Sequence, residues 1–202
     1  MAAVTNYVTE EEVKAALTLS GTAFADQDIP RAIAAASRAV DGYCNRRFYL
    51  DTSDVARTYR QAASIIAIDD LAPTPVPVVK TAATPGQFTT TWTAGQDYDL
   101  QPLNAAADSR PYTILRTYSW AATGRVPYAN IQITGRWGWT TIPAQVPQAT
   151  VILASKLLVR TRQAPFGIVT AGGDVGVAMR IASTDPDVRA LLEDLGRTQL
   201  AV

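Results

Sequence analysis

The stretch IQITGRWGWTTIP, Ile131 to Pro143, decides how the middle of this chain meets its C-terminal part. Ile131-Gln132-Ile133 alternates and reads as strand, because side chains two apart share a face. Trp137 and Trp139 flank Gly138, and the chain has only four tryptophans. If the strand continues past Gly138, both rings fall on one face, and the glycine leaves room for a close backbone approach. Large aromatics mainly anchor packing. Trp137, Gly138 and Trp139 therefore read as a structural corner that closes a sheet onto helices. A contact with another chain is the second reading, since tryptophan is enriched at interface hot spots.

Beyond the corner the texture changes. Helix is predicted from Pro143 to Pro147 onward, and from Val146 to Val159 nearly every position is apolar or small. A helix that is apolar on most sides is buried on most sides. Part of that cover can come from a neighbouring chain. Pro165-Phe166-Gly167 breaks the helix, and Gly172-Gly173-Asp174-Val175-Gly176 reads as a loop or hairpin tip. Asp185-Pro186 opens a last helix, with Val188, Leu191, Leu192 and Leu195 as its apolar stripe and Gly196 as its stop.

Upstream of the corner, residues 55–141 hold seven of the twelve prolines. Arg57 to Arg60, Ile65 to Ile68, Thr89 to Thr93, Tyr112 to Tyr118 and Ile131 to Trp137 are β-type runs. Pro85-Gly86, Ala94-Gly95 and Thr123-Gly124 mark turns. Pro73, Pro75 and Pro77 favour an extended edge. Two helices precede this block. Thr9 to Glu12 is a capping box, with Val8 and Val13 as its staple, and this helix should end near Ser20-Gly21. The second starts with Asp28 as cap and Pro30 in its first turn. It carries Ile29, Ile33, Ala36, Val40 and Tyr43 on one face, and should end near Arg46 or Arg47. The fold expected is α+β and mainly helical: a small four-helix bundle from residues 1–54 and 142–202, with a β-rich insertion at 55–141.

Bulk properties exclude several function classes. The 202 residues carry 18 basic and 18 acidic side chains. Split at 60 and 142, the parts hold 7 to 8, 5 to 5 and 6 to 5, so no part has the basic surplus that binds phosphates. The N-terminus lacks the basic start and apolar core of a signal peptide. The apolar helix is too short, and interrupted by Lys156, to span a bilayer. Cys44 is the single cysteine, so no intrachain disulfide forms, which suits a reducing compartment. With no histidine, the commonest general base and metal ligand are absent.

Candidate sites are correspondingly thin. Asp97 and Asp99 share a face if they lie on a strand, and a carboxylate pair suits a hard cation, although such cages need more ligands than this. Asp69-Asp70 is weaker, because neighbours on a strand diverge. The Gly172 to Gly176 run lacks the Gly-Lys-Ser/Thr of a phosphate loop. Cys44 has no histidine to activate it and reads as a small apolar helix residue. Arg46-Arg47 and Arg160 with Arg162 suit helix C-terminal ends. No catalytic, metal or cofactor site is expected. A small metal-dependent hydrolase using Asp97 and Asp99, or a monomeric ligand-binding or adhesive module using the β block, are the alternatives.

Five segments in order carry a resemblance: YVTEEEVKAAL (7–17), DIPRAIAAASRAVDGYCNRRFY (28–49), DYDLQPLN (97–104), ITGRWGWTTIPAQVPQATVILASKLLVRTRQAPFG (133–167) and DPDVRALLEDL (185–195). The chain resembles the head–tail connector, or adaptor, proteins of long-tailed bacteriophages. The resemblance implies a virion structural protein without enzymatic activity. It implies a ring, commonly of twelve copies, beneath the capsid portal. It implies a channel through which DNA passes without specific binding, and a docking surface for the tail-side stopper. Its place would be the virion neck, reached by assembly in the bacterial host cytoplasm, with no membrane partner and no cofactor. On that reading Leu153, Leu157, Arg160 and Arg162 of the long helix, with Leu191, Leu192 and Leu195, are the subunit and portal contacts. The β-rich insertion departs from a minimal bundle of this family.

Overall fold

A computed structural model describes residues 6–18, 27–118, 127–163 and 186–197, with the side chains of 161–163 left out. The chain divides into two compact units. One is drawn from Met1–Arg47 and Ile142–Gln199, the other from Phe48–Thr141 in the middle of the chain.

The first unit holds four helices: α1 (Glu10–Thr18), α2 (Asp28–Cys44), α3 (Gln145–Gln163) and α4 (Pro186–Leu192), the last continued by a 3-10 turn, Glu193–Leu195. The capping box at the head of α1 forms as predicted. Thr9 N donates to Glu12 Oε2 at 2.7 Å, and Glu12 N donates to Thr9 Oγ1 at 3.3 Å. Val8 and Val13 are both buried beside it. In α2 the buried positions are Ile29, Ala32, Ile33, Ala36, Ser37, Val40 and Cys44, a spacing of three and four that makes one face. Two sequence expectations fail here. Gln27, not Asp28, precedes the first turn, and it makes no side-chain cap. The helix ends at Cys44, because Asn45 turns left-handed at φ 50 and Arg46 N closes on Asp41 O at 3.2 Å. The end moves the face as well: Cys44 is fully buried and Tyr43 is on the surface.

Helix α3 packs chiefly on α2, with α1 and α4 on its flanks. Val146, Ala149, Thr150, Leu153, Ala154 and Leu158 are buried, while Val151, Ile152, Leu157 and Val159 are only partly covered. Pro147 costs little because the first turn has no intrahelical acceptor for its missing N–H. The predicted break at Pro165-Phe166-Gly167, the Gly172 to Gly176 loop, the Asp185 cap, the α1 end at Ser20-Gly21 and the Thr123-Gly124 turn lie outside the described residues. Gly196 follows the final turn in an extended conformation, φ −61, so it is not a left-handed stop.

The second unit contains β1 (Val55–Tyr59), β2 (Ile65–Leu71), β3 (Val78–Ala82), β4 (Phe88–Thr91), β5 (Tyr98–Gln101), β6 (Tyr112–Thr117) and β7 (Ile131–Gly135). They form two antiparallel sheets, in the orders β1-β7-β3-β4 and β2-β6-β5. Alternation sets their inner faces: β7 buries Ile131, Ile133 and Gly135, with Gln132 and Thr134 half-covered between them. Ile66, Ile68, Leu71, Tyr98 and Leu115 from one sheet share a core with Val79, Ile131 and Ile133 from the other, and Trp137 joins it. This is sheet-on-sheet packing.

The expected fold class is thereby corrected. The described residues hold seven strands in two antiparallel sheets beside four helices, so the protein is mainly β and not a helical four-helix bundle. The physical reason is that residues 48–141 own a closed core, whereas α1 and α4, at nine and seven residues, are about two turns each and gain order only by packing. Strand β3 escaped the sequence reading because it follows the Pro73, Pro75, Pro77 run directly.

Candidate functional site

The Trp137-Gly138-Trp139 segment is the most closely built place in the β unit. Strand β7 ends at Gly135, so the alternation expected to align the two indoles does not reach them. Gly138 has φ +117, a conformation that L side chains rarely adopt. A Cβ there would overlap the Tyr49 carbonyl oxygen and come within 2.8 Å of its carbon and 3.1 Å of Leu50 Cα. Glycine is required on both counts. Its own N–H donates to Asp70 O at 2.7 Å, and Asp51 N donates to Trp137 O at 2.9 Å. The incoming segment 49–51 is thus stitched to the outgoing one.

The indoles have different surroundings. Trp137 is fully buried, with Nε1 donating to Val55 O at 2.8 Å and its ring 6.1 Å from that of Tyr59. The Arg57 guanidinium lies 4.4 Å from the Trp137 ring centroid, within cation–π range. Arg57 also donates to Asp69 Oδ2 at 2.7 Å, and the Tyr59 hydroxyl donates to the same oxygen at 3.1 Å. Burial, the largest cause, pushes the Tyr59 phenol far above its ordinary range, so it stays a donor. Trp139 instead packs on buried Phe48, with ring centroids 5.4 Å apart, and its Nε1 faces Asp70 Oδ2 at 3.4 Å. These contacts of the two tryptophans all lie inside the β unit.

The acidic candidates are each engaged by protein groups. Asp97 accepts from Thr93 N at 2.7 Å, which caps a turn. Asp99 accepts from the Tyr118 hydroxyl, a bond that raises the phenol's pKa. Asp69 serves Arg57 and Tyr59, and Asp70 is buried under Trp139. Among the described residues no three His, Cys, Asp or Glu side chains are placed to hold a metal ion. Cys44 is buried, and burial first, then Asp41, push its thiol up to about 11 against the lowering effect of Arg46. A thiol so rarely ionised is a poor nucleophile near neutral pH.

On the helical unit Leu153, Leu192 and Leu195 face inward and are buried. Leu157, Arg160 and Leu191 are half-covered, and the Arg162 side chain lies outside the described residues. Sequence reading missed a different cluster. Gln61, Thr117 and Asn130 are buried polar side chains that bond to one another. Their wide separation along the chain left no local signal. Among the described residues no helix is long and apolar enough to cross a membrane.

No protein-family model and no curated protein matches this chain. Its fold is similar to that of a solved chain from the neck of an empty GTA particle computed with C6 symmetry. That likeness spans 99% of this chain and 94% of the other, at a TM-score of 0.52 and 18% identity. A chain from the neck of a native GTA particle computed with C12 symmetry aligns over 97% and 96%, at a TM-score of 0.46 and 14% identity. The likeness to the first is one of fold, and it includes both units.

Proposed function

We propose that this chain is a virion structural protein of a phage-like particle: a ring-forming head–tail adaptor. In this role it docks beneath the portal, extends the DNA channel and offers a surface to the next tail-side connector. The observation that carries the reading is the fold likeness to a neck chain across nearly the full length of both proteins. The order of segments noted above as a resemblance to connector proteins agrees with it. The partners are further copies of the chain, twelve by that resemblance, then the portal and the stopper. DNA passes without specific binding, which suits the balance of 18 basic and 18 acidic side chains. The protein performs no chemistry and works by repeated interface burial, typically about 1,200–2,000 Å² per specific contact.

Helix α3 supports the subunit contact, because Val151, Ile152, Leu157 and Val159 retain exposed apolar surface within one chain. Leu157, Arg160 and Leu191 are the direct contacts in this scheme, with Arg162 beyond them. Leu153, Leu192 and Leu195 hold the same helices from within. The test is electron microscopy with mass photometry of the chain alone and mixed with the portal protein of the same particle. Rings of cyclic symmetry in either sample are the expected result. A chain that stays monomeric and unbound in both overturns the proposal.

A further inference from the structure

Strand β7 lies inside its sheet and pairs on both sides, with β1 and with β3. Its inner face is Ile131, Ile133 and Gly135. A one-residue slip would expose that face, but a two-residue slip keeps the alternation intact. The hydrophobic pattern alone therefore leaves the position of the strand's first half under-determined.

A buried polar cluster sits where the chain passes between the sheets. Gln61 lies on the connection from β1 to β2, Thr117 ends β6, and Asn130 immediately precedes β7. The Gln61 N–H donates to Asn130 Oδ1 at 2.9 Å, and Asn130 Nδ2 donates back to Gln61 Oε1 at 3.2 Å. Gln61 Nε2 donates to Thr117 Oγ1 at 2.9 Å, and Thr117 N donates to Ser64 O at 2.8 Å. The Asn130 backbone is used too: its N–H reaches Tyr59 O at 3.1 Å, and its carbonyl accepts from Ala82 N at 2.8 Å and Thr81 Oγ1 at 3.0 Å. Asn130, at the end of the connection from β6 to β7, thus bonds to β1, to β3 and to the connection from β1 to β2.

We propose that Gln61, Thr117 and Asn130 form a polar clasp that selects the register of β7 and the docking of the two sheets, rather than adding net stability. A slip of two residues moves Asn130 by about 6.8 Å along the strand. Asn130 and Gln61 then lose the two bonds between them while remaining buried, which is strongly penalised. A satisfied network of this kind is energetically close to a well-packed apolar replacement of the same volume, so its distinctive effect is on the competing arrangements. At the opposite end of β7, Trp137 and Gly138 hold the chain by a buried indole and by bonds to backbone carbonyls, without a network of side-chain amides.

The test compares the full-length chain with the triple variant Gln61→Met, Thr117→Val, Asn130→Leu. The expected result is a melting temperature within about 10 °C of the parent, the fall reflecting the Gln61 backbone N–H, which loses Asn130 Oδ1. Amide spectra should show doubled signals for residues 128–133, with faster hydrogen exchange at Ala82 and Asn130. A single set of signals with unchanged exchange overturns the proposal, as does a fall in melting temperature well beyond about 10 °C. The milder Thr117→Val variant removes the hydroxyl that accepts from Gln61 Nε2 and donates to Ser64 O at 3.5 Å, and keeps the shape of the side chain. Exchange at the Gln61 amide should accelerate by about tenfold, and an unchanged rate counts equally against the clasp.

Discussion

The helical unit fills its interior with small and medium side chains, Ala32, Ile33, Ala36, Val40, Ala149, Leu153, Ala154 and Leu158. The β unit fills its own with Trp137, Phe48, Ile68, Leu71, Leu115, Ile131 and Ile133. The first is assembled from both ends of the chain and the second from one continuous stretch. Alanine on facing helices allows close approach, and each such position contributes little on its own. A single indole removes far more apolar surface from water, so the β unit concentrates its stability in few residues. The difference teaches where each unit is vulnerable. It also shows why a protein proposed to work by helical contacts carries its most constrained geometry in the sheets.

The sharpest way to break the comparison is at Gly138. Gly138→Ala places a Cβ on the Tyr49 carbonyl at a φ of +117, and should destabilise the β unit by about 4 kcal/mol or more. Urea unfolding followed by tryptophan fluorescence measures it, and a loss below about 1 kcal/mol would show that segment 49–51 yields easily.

Next come matched truncations in the two units. Trp137→Ala should cost about 4 kcal/mol, from lost burial and the lost bond to Val55 O, and Leu158→Ala about 3 kcal/mol. If the two-unit picture holds, hydrogen exchange in Trp137→Ala rises first in β1 and β7, and in Leu158→Ala first in α2 and α3. Equal effects throughout would merge the units into one cooperative body. Trp137→Ala should lower thermal stability before it changes assembly, and lost rings at unchanged stability would place that indole at an interface.

A smaller effect is expected at the head of α1. Thr9→Ala removes the side-chain half of the capping box and should cost about 1 kcal/mol, read as lower helicity and a lower midpoint in the helical unit alone.

The smallest effect is a pH dependence. The folded Cys44 thiol has its pKa raised to about 11 by burial, so the unfolded chain ionises first as pH rises. The contribution is therefore fully present below the ordinary thiol range and is lost as pH climbs through about 11. Cys44→Ala should flatten that alkaline decline, and the parent thiol should react with a disulfide reagent only as fast as the helical unit opens.

Local chemistry explains what was legible. Thr9 and Glu12 are three residues apart, so their capping box was readable, and so was the alternation that buries Ile131 and Ile133. The face of α2 was read correctly from Ile29 to Val40 and wrongly at its end, where the left-handed Asn45 exchanges Cys44 for Tyr43. The capping of α2 by Asp28 and the continuation of β7 through Gly138 also failed, because both depend on backbone angles that residue type does not dictate. The partner of Asp99 was likewise unreadable, since Tyr118 lies well along the chain.

Periodicity acting over a few residues was enough to specify most helices and strands, and composition gave the charge balance and the lack of histidine. Only the tertiary structure decided that the middle of the chain is a two-sheet unit with its own core. It alone decided that Trp137 and Trp139 meet different neighbours, and that Gln61, Thr117 and Asn130 close on one another. Contacts between residues far apart in sequence depend on how whole strands pair and pack, and no local pattern encodes that pairing.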